Sequence, residues 1–391
     1  MSFTIQIDKT CLGLTQNLTL RPDGSISLDD QLKSENWIWS DRPSTFDLKT
    51  IALATGFKVA DKPAKQHVAA WQTLGVDPPW NQALPKHVFK KWLTDFTGDL
   101  QKLSDTWSTS YYGKEFQIQQ RLLQKLQQPF VDDHEIKVID DDRLRPFTSN
   151  GDGLAPRSTY DNTSSVTGRM SITRGPNILT LDRQYRRVFK SRFKEGKIIQ
   201  VDFTSLEPCV CLATQKKMFS GDAYDWTRTE ISLPVERDVI KVATMSALYG
   251  MTPSKFAKKF DTIPDAANLL FKVRDAFGVD VLDRRLRQQL DSEMHITNHY
   301  GRIIKADKTS PLVAYFVQST AVDVVCQGFA KLINQLEERE IDAVPLYLIH
   351  DALMFDVSQL AERQIADLCK SGIRVDSLDC TFPVKIKTID A

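Results

Sequence analysis

Apolar residues recur at helical spacing between residues 86 and 128. Val88, Phe89, Trp92, Leu93, Phe96, Leu100, Leu103 and Trp107 form one stripe. Phe116, Leu122, Leu123 and Leu126 form a second among Gln, Lys and Arg. Spacings of three and four put such residues on one helix face, so two amphipathic helices are predicted, ended by Pro129. The run GKIIQVDF at 196–203 is β-branched, follows a glycine and predicts a buried strand ending at Asp202. Residues 235–250 predict a helix stopped by Gly250, and helical patterning continues from FAKKF through LDRRLRQQL. Residues 311–339 predict a long, largely apolar helix, and 345–357 an apolar hairpin turning at His350-Asp351. Residues 147–166 are rich in Ser, Thr, Asn, Gly and Pro and predict a loop. Residues 1–85 mix short alternating runs (FTIQI, SISLDD) with Pro, Asp and Trp and carry no chemical motif.

Composition bounds the class. With 41% apolar and 26% charged residues among 391, the chain is globular rather than disordered, collagen-like or a disulfide scaffold. Its charge of +1 excludes a histone-like binder but leaves room for a basic groove on a neutral surface. The N-terminus MSFTIQIDKT has no secretory pattern, and no run of about 18 apolar residues predicts a membrane span. The expectation is a cytoplasmic protein, in the nucleoid or an infected cell, neither secreted nor membrane-bound. The six cysteines form no CxxC pair and have no zinc-finger spacing to histidine. They are expected reduced, with Cys209 and Cys211 packed in an apolar stretch.

Three constellations could carry chemistry. Asp202 and Asp351 each end an otherwise apolar strand, where a carboxylate is costly unless a cation holds it. Brought together they would suit Mg2+, a hard ion that takes oxygen ligands. Taken singly, each is better explained as a turn residue. Arg237, Lys241, Met245 and Tyr249 are spaced by four and share one side of the 235–250 helix. Two cations and a ring would suit a nucleoside triphosphate, although a solvated basic face gives the same pattern. The seven basic residues of 183–197 would contact phosphates if they lined a groove.

In chain order these segments resemble the family A DNA polymerases of the polymerase I type. VTGRMSITRGPNI (166–178) resembles the family's TGRLS…PNLQNIP stretch, IIQVDFTSLEPCVCLA (198–213) its motif A, and RDVIKVATMSALYG its motif B. HYGRI (299–303), VQSTAVDVV (317–325) and LIHDALMFDV resemble its GRR turn, its MQGTAADII segment and its motif C. The resemblance covers roughly 165–360 and implies an α+β right-hand fold. Its parts would be an N-terminal region of unknown role (1–85), a reduced helical thumb (86–146), an antiparallel palm (147–215 and 300–391) and helical fingers (216–299). It implies Asp202 and Asp351 as ligands of two Mg2+ ions, with Mn2+ as a substitute. Arg237 and Lys241 would hold the triphosphate, Lys241 protonating the leaving pyrophosphate. Tyr249 and Met245 would face the nascent base pair. Glu207 would block a ribose 2′-OH. Arg169, Gln318, His350, Asn177 and Arg302 would contact primer–template DNA.

The implied activity is primer extension with dNTPs, with a processivity partner compensating for a small thumb. No DxE strand is visible in the short upstream region, so proofreading is not expected. Met245, Ala352, Ala314 and Ser310 depart from the family pattern. Met245 and Ala352 are shared with single-subunit RNA polymerases, but those have Gly at the position of Glu207. An RNA-synthesising enzyme or primase, and an inactive module that holds primed DNA, are the alternatives.

Overall fold

The first 85 residues build more than their pattern announced. Short strands β1 (Ile5–Ile7), β2 (Asn17–Leu20), β3 (Ile26–Asp29), β4 (Trp37–Trp39) and β5 (Phe46–Asp47) form one mixed sheet in the order β3-β2-β1-β4-β5. β2 pairs antiparallel to β1 and β4 pairs parallel to it. Ile5, Ile7, Leu18, Leu20 and Trp37 fill its buried positions. Gln6, buried between them, donates to Thr19 Oγ1 at 3.1 Å and accepts from the Lys33 amide. The computed structural model describes residues 4–33, 36–40, 46–48, 51, 69–71, 73–76, 78–109, 111–162, 165–217, 219 and 221–389.

The two predicted amphipathic helices form as α1 (Lys86–Thr109) and α2 (Tyr111–Lys125). Their stripes bury Phe96, Leu100, Leu103, Trp107, Phe116 and Leu122. The Trp107 ring meets Phe116 edge-on at 5.7 Å, an arrangement aromatic quadrupoles favour. The chain divides into two compact units, residues 1–120 and 121–391, so the boundary falls inside α2.

The second unit is organised by a four-stranded sheet. Its members are β6 (Lys197–Phe203), β7 (Ala343–Ile349), β8 (Ala352–Val357) and β9 (Val384–Ile389), in the order β7-β8-β6-β9. Every pairing is antiparallel. β6 and β8 read as continuous apolar runs because they are central strands covered on both faces. On one face lies the long helix α8 (Leu312–Glu338), with Phe203 and Phe329 rings 5.0 Å apart. Gly328 permits this approach, since a Cβ there would come within 2.8 Å of the Phe203 ring. The opposite face packs on Val131, Phe147, Ile178, Val188 and Phe189. The stretch predicted as loop at 147–166 contributes a short strand, Thr159–Asp161, paired with Ser171–Arg174.

Between β6 and α8 the chain is helical: α3 (Leu206–Thr214), α4 (Ala223–Ile231), α5 (Arg237–Leu248), α6 (Ala266–Ala276) and α7 (Val279–Glu293). Contrary to the sequence expectation, α8 is long and apolar enough to cross a membrane by length and composition. However, 78% of its most apolar stretch is buried inside the protein. All six cysteines are free. Burial raises the Cys209 thiol and pushes Cys211 up to about 12, so both are packed, protonated groups on α3.

Candidate active site

Strand pairing brings the two aspartates together. Asp202 lies near the end of β6, directly opposite Ala352 on β8. Asp351 occupies the turn between β7 and β8, and its carbonyl accepts from the Phe203 amide at 3.0 Å. That bond ties the turn to the end of β6. Burial, and then the negative charge of Asp202, hold the Asp351 carboxyl above its ordinary value. Two carboxylates that repel one another are an arrangement a divalent cation relieves. Among the described residues no group of three or more His, Cys, Asp or Glu is placed to hold a metal. A pair of carboxylates is compatible with Mg2+, which keeps several waters and binds through one or two carboxylates plus phosphates.

The backbone beside each aspartate is unusual. His350 has φ 54° and Ser205 φ 52°, left-handed values that a side chain disfavours. Such positions cluster at functional sites. Partial desolvation lowers the His350 imidazole, so it is neutral at physiological pH.

A cavity of about 260 Å³ opens beside Asp351 and His350, with Leu206, Val325 and Cys326 in its apolar lining. Arg169, Glu207 and Gln318 on its rim are joined through Tyr249. Arg169 donates to Glu207 Oε1 at 2.5 Å, and the Tyr249 hydroxyl to Glu207 Oε2 at 3.2 Å. Gln318 donates in turn to the Tyr249 hydroxyl. Burial raises the Glu207 carboxyl despite the opposing pull of Arg169. The loop before the strand Ser171–Arg174, α3, the end of α5 and α8 are thereby joined through four side chains expected from the sequence.

On α5, Arg237 and Lys241 fare differently. Lys241 is exposed and makes no ion pair with a described residue. Arg237 pairs with Asp222 and lies 5.2 Å from the Tyr224 ring centre. Asp222 also caps α4 by accepting from the Tyr224 amide at 2.8 Å, and accepts from Ser205 Oγ at 3.0 Å. Burial works to raise the Asp222 carboxyl, but Arg237 and the Tyr224 amide outweigh it and hold it below the usual range. The sequence reading missed Asp222, Tyr224 and Ser205. The available signal was GDAYDW, an acidic N-cap followed by a second Asp three residues on. Met245, next on this side, is half-buried, and Tyr249 caps the helix.

Three expectations for DNA contact meet a different geometry. Arg302 is only 8% exposed and donates to the Asn162 carbonyl at 2.6 Å. It underlies Gly168, where a methyl group would overlap Nη1 and Cζ. It therefore supports the loop that carries Arg169 instead of facing a ligand. The Asn177 side chain caps the turn Ile178–Thr180 by accepting from the Leu179 amide. The basic run 183–197 is mostly engaged within the protein. Arg187 and Lys190 pair with Glu135, Arg192 with the fully buried Asp356, and Lys197 with Glu362.

No family model matches the chain. It is similar to DNA polymerase I of Aquifex aeolicus, with 22% identity over 235 residues that span 54% of this chain and 40% of that protein. In fold it is similar to the polymerase domain of Pol1 from M. smegmatis, solved in complex with DNA primer-template and dNTP. That likeness has a TM-score of 0.50 and 16% identity, and covers 88% of this chain and 66% of the other. The chain thus spans less than two thirds of the length of either relative. The mixed helix-and-sheet fold is that of a polymerase domain of this kind.

Proposed function

We propose that the chain is a DNA polymerase that extends a primer 3′-OH with dNTPs under the direction of a template. The observation that carries this reading is the pairing of Asp202 and Asp351 at adjoining strand ends, next to the Arg169–Glu207–Tyr249–Gln318 network. In this reading the sheet β7-β8-β6-β9 is the palm, α4–α7 belong to the fingers, and α1 and α2 to a small thumb.

Asp202 and Asp351 would hold two Mg2+ ions. Bound there, the metal supplies a Lewis acid for the α-phosphate and a clamp on the attacking and leaving oxygens. The chain's own residues do the rest. Lys241, exposed on α5, stands ready to neutralise a triphosphate and to give a proton to departing pyrophosphate. Arg237 joins it once released from, or shared with, Asp222. The Glu207 side chain, held by Arg169 and Tyr249, would fill the space a ribose 2′-OH needs. Arg169 and Gln318 present donors to the minor groove, where acceptors are nearly the same for every base pair. They would check duplex geometry without reading sequence.

The test is primer extension on a primed template by wild type and Asp351→Asn, with dNTPs or rNTPs. Extension with dNTPs, abolished in Asp351→Asn and by EDTA, is expected. Unprimed synthesis from rNTPs would instead indicate an RNA-synthesising enzyme. Tight primed-DNA binding with no incorporation would indicate an inactive module.

A further inference from the structure

A second cavity of about 290 Å³ lies between the 3-10 helix Arg183–Val188 and the edge strand β9, lined by Arg183, Arg186, Gln200 and Lys387 among others. Strand register explains the clustering. Lys387 stands opposite Gln200 and Lys385 opposite Asp202, so all four side chains leave the same face of the sheet. Lys387 Nζ lies 3.5 Å and Arg183 Nη2 3.8 Å from the Asp202 carboxylate. Arg186 is only 7% exposed, donates to Gln200 Oε1 at 2.9 Å, and has no partner for its Nε. A buried guanidinium whose only side-chain acceptor is an amide is an incomplete arrangement.

Asp202 is the one carboxylate within ion-pair distance of Lys387 and Arg183 among the described residues. A divalent ion on Asp202 would compete with both cations for it. Displaced from Asp202, they would face the cavity together with Arg186, and only an anion would balance them.

We propose that this cavity binds a phosphate group once Asp202 is engaged by metal, and that Arg183 and Lys387 are its exchangeable ligands. The proposal rests on the polymerase reading for the presence of phosphates. The group is either a backbone phosphate of the bound DNA strand or free pyrophosphate. Both offer several oxygens to converging donors.

The test mimics the neutralised carboxylate with Asp202→Asn and needs no catalysis. In EDTA, pyrophosphate binding is followed by calorimetry, and binding of a primed duplex by anisotropy across a salt series. Asp202→Asn is expected to bind one of the two roughly tenfold tighter than wild type. Adding Lys387→Ala or Arg183→Ala should cancel the gain. Both side chains are largely exposed, so folding is not at stake. If the source is DNA, the slope of log affinity against log salt falls by about 0.9 for each phosphate that is no longer neutralised, and pyrophosphate binding is unmoved. If it is pyrophosphate, the converse holds. A gain that survives both alanine substitutions, or no gain in either arm, overturns the proposal. A wild-type chain that fails to extend primers while these binding changes hold would sink the polymerase reading and leave the anion site standing.

Discussion

Gly168 offers the sharpest test of how the site loop is held. Its φ is +75°, and a methyl group there would overlap Nη1 and Cζ of Arg302 and come within 2.7 Å of Nη2. Gly168→Ala therefore has two costs. The left-handed backbone costs an L-residue about 1–2 kcal/mol. The second cost is moving a buried guanidinium. Arg302 donates to the Asn162 carbonyl at 2.6 Å, and losing a charged hydrogen bond of this kind costs about 1.5–3 kcal/mol. The sum is about 2.5–5 kcal/mol, reaching the range of severe core defects. Urea unfolding would show it as a fall in midpoint at unchanged slope. The two costs separate in a double-mutant cycle. In an Arg302→Ala background the clash is gone, so Gly168→Ala should cost only the backbone share of about 1–2 kcal/mol. A destabilisation below about 1 kcal/mol, or strict additivity in the cycle, would refute a steric coupling between Gly168 and Arg302. Arg169 is the next residue along, so primed-DNA binding should weaken in the same variant.

Other substitutions address charge. Asp351→Asn should be inactive yet melt at higher temperature than wild type in EDTA, because it removes a buried carboxylate that faces Asp202; a lower melting temperature would contradict that account. Glu207→Gln should change the pH dependence of stability. The wild-type carboxyl has a raised folded pKa, so it holds its proton more tightly when folded. Its contribution is therefore gained as pH falls through the raised value toward the ordinary glutamate range and lost as pH rises through it. The glutamine variant should lack that slope, measured by thermal melts from the ordinary glutamate range upward in pH. Glu207→Ala should lower the preference for dNTP over rNTP by about tenfold or more in single-nucleotide incorporation, and an unchanged ratio would remove Glu207 from sugar selection. Lys241→Ala should raise the KM for dNTP more than Arg237→Ala, since Arg237 is already engaged by Asp222; the reverse order would mean that the Asp222 pair opens freely.

The elements that position the site were legible because they are long and strongly periodic. The strand ending at Asp202, the hairpin turning at His350-Asp351, helix α5 and helix α8 all formed where their patterns placed them. Short elements were not. β1 to β5 span two to four residues each, too few for alternation to stand out, and their sheet is specified by pairing between segments distant in sequence. The strand Thr159–Asp161 hides in a Ser/Thr/Asn-rich stretch because it pairs with Ser171–Arg174 and never enters the main sheet.

For the site itself, the sequence named residues that the fold brings together, but not all of their partners. Asp202 and Asp351 adjoin, and Arg169, Glu207, Tyr249 and Gln318 form one hydrogen-bonded set. Arg302 was expected at DNA because HYGRI resembles the family's GRR turn, yet it is buried beneath Gly168. The basic run 183–197 looked like a phosphate groove because its counter-charges are remote. Glu135, Asp356 and Glu362 lie tens to more than a hundred residues away in sequence. Those three carboxylates neutralise much of the run inside the fold. Arg183, Lys387 and Lys385 stand around Asp202, Lys241 is exposed on α5, and Arg169 sits at the cavity rim. Arg169 and Lys387 lie 218 positions apart in the sequence. Only the antiparallel return of β9 along β6 sets Lys387 beside the carboxylate. The cationic surface that would meet a nucleic acid is thus a property of sheet register, which a one-residue slip of β9 would turn to the other face.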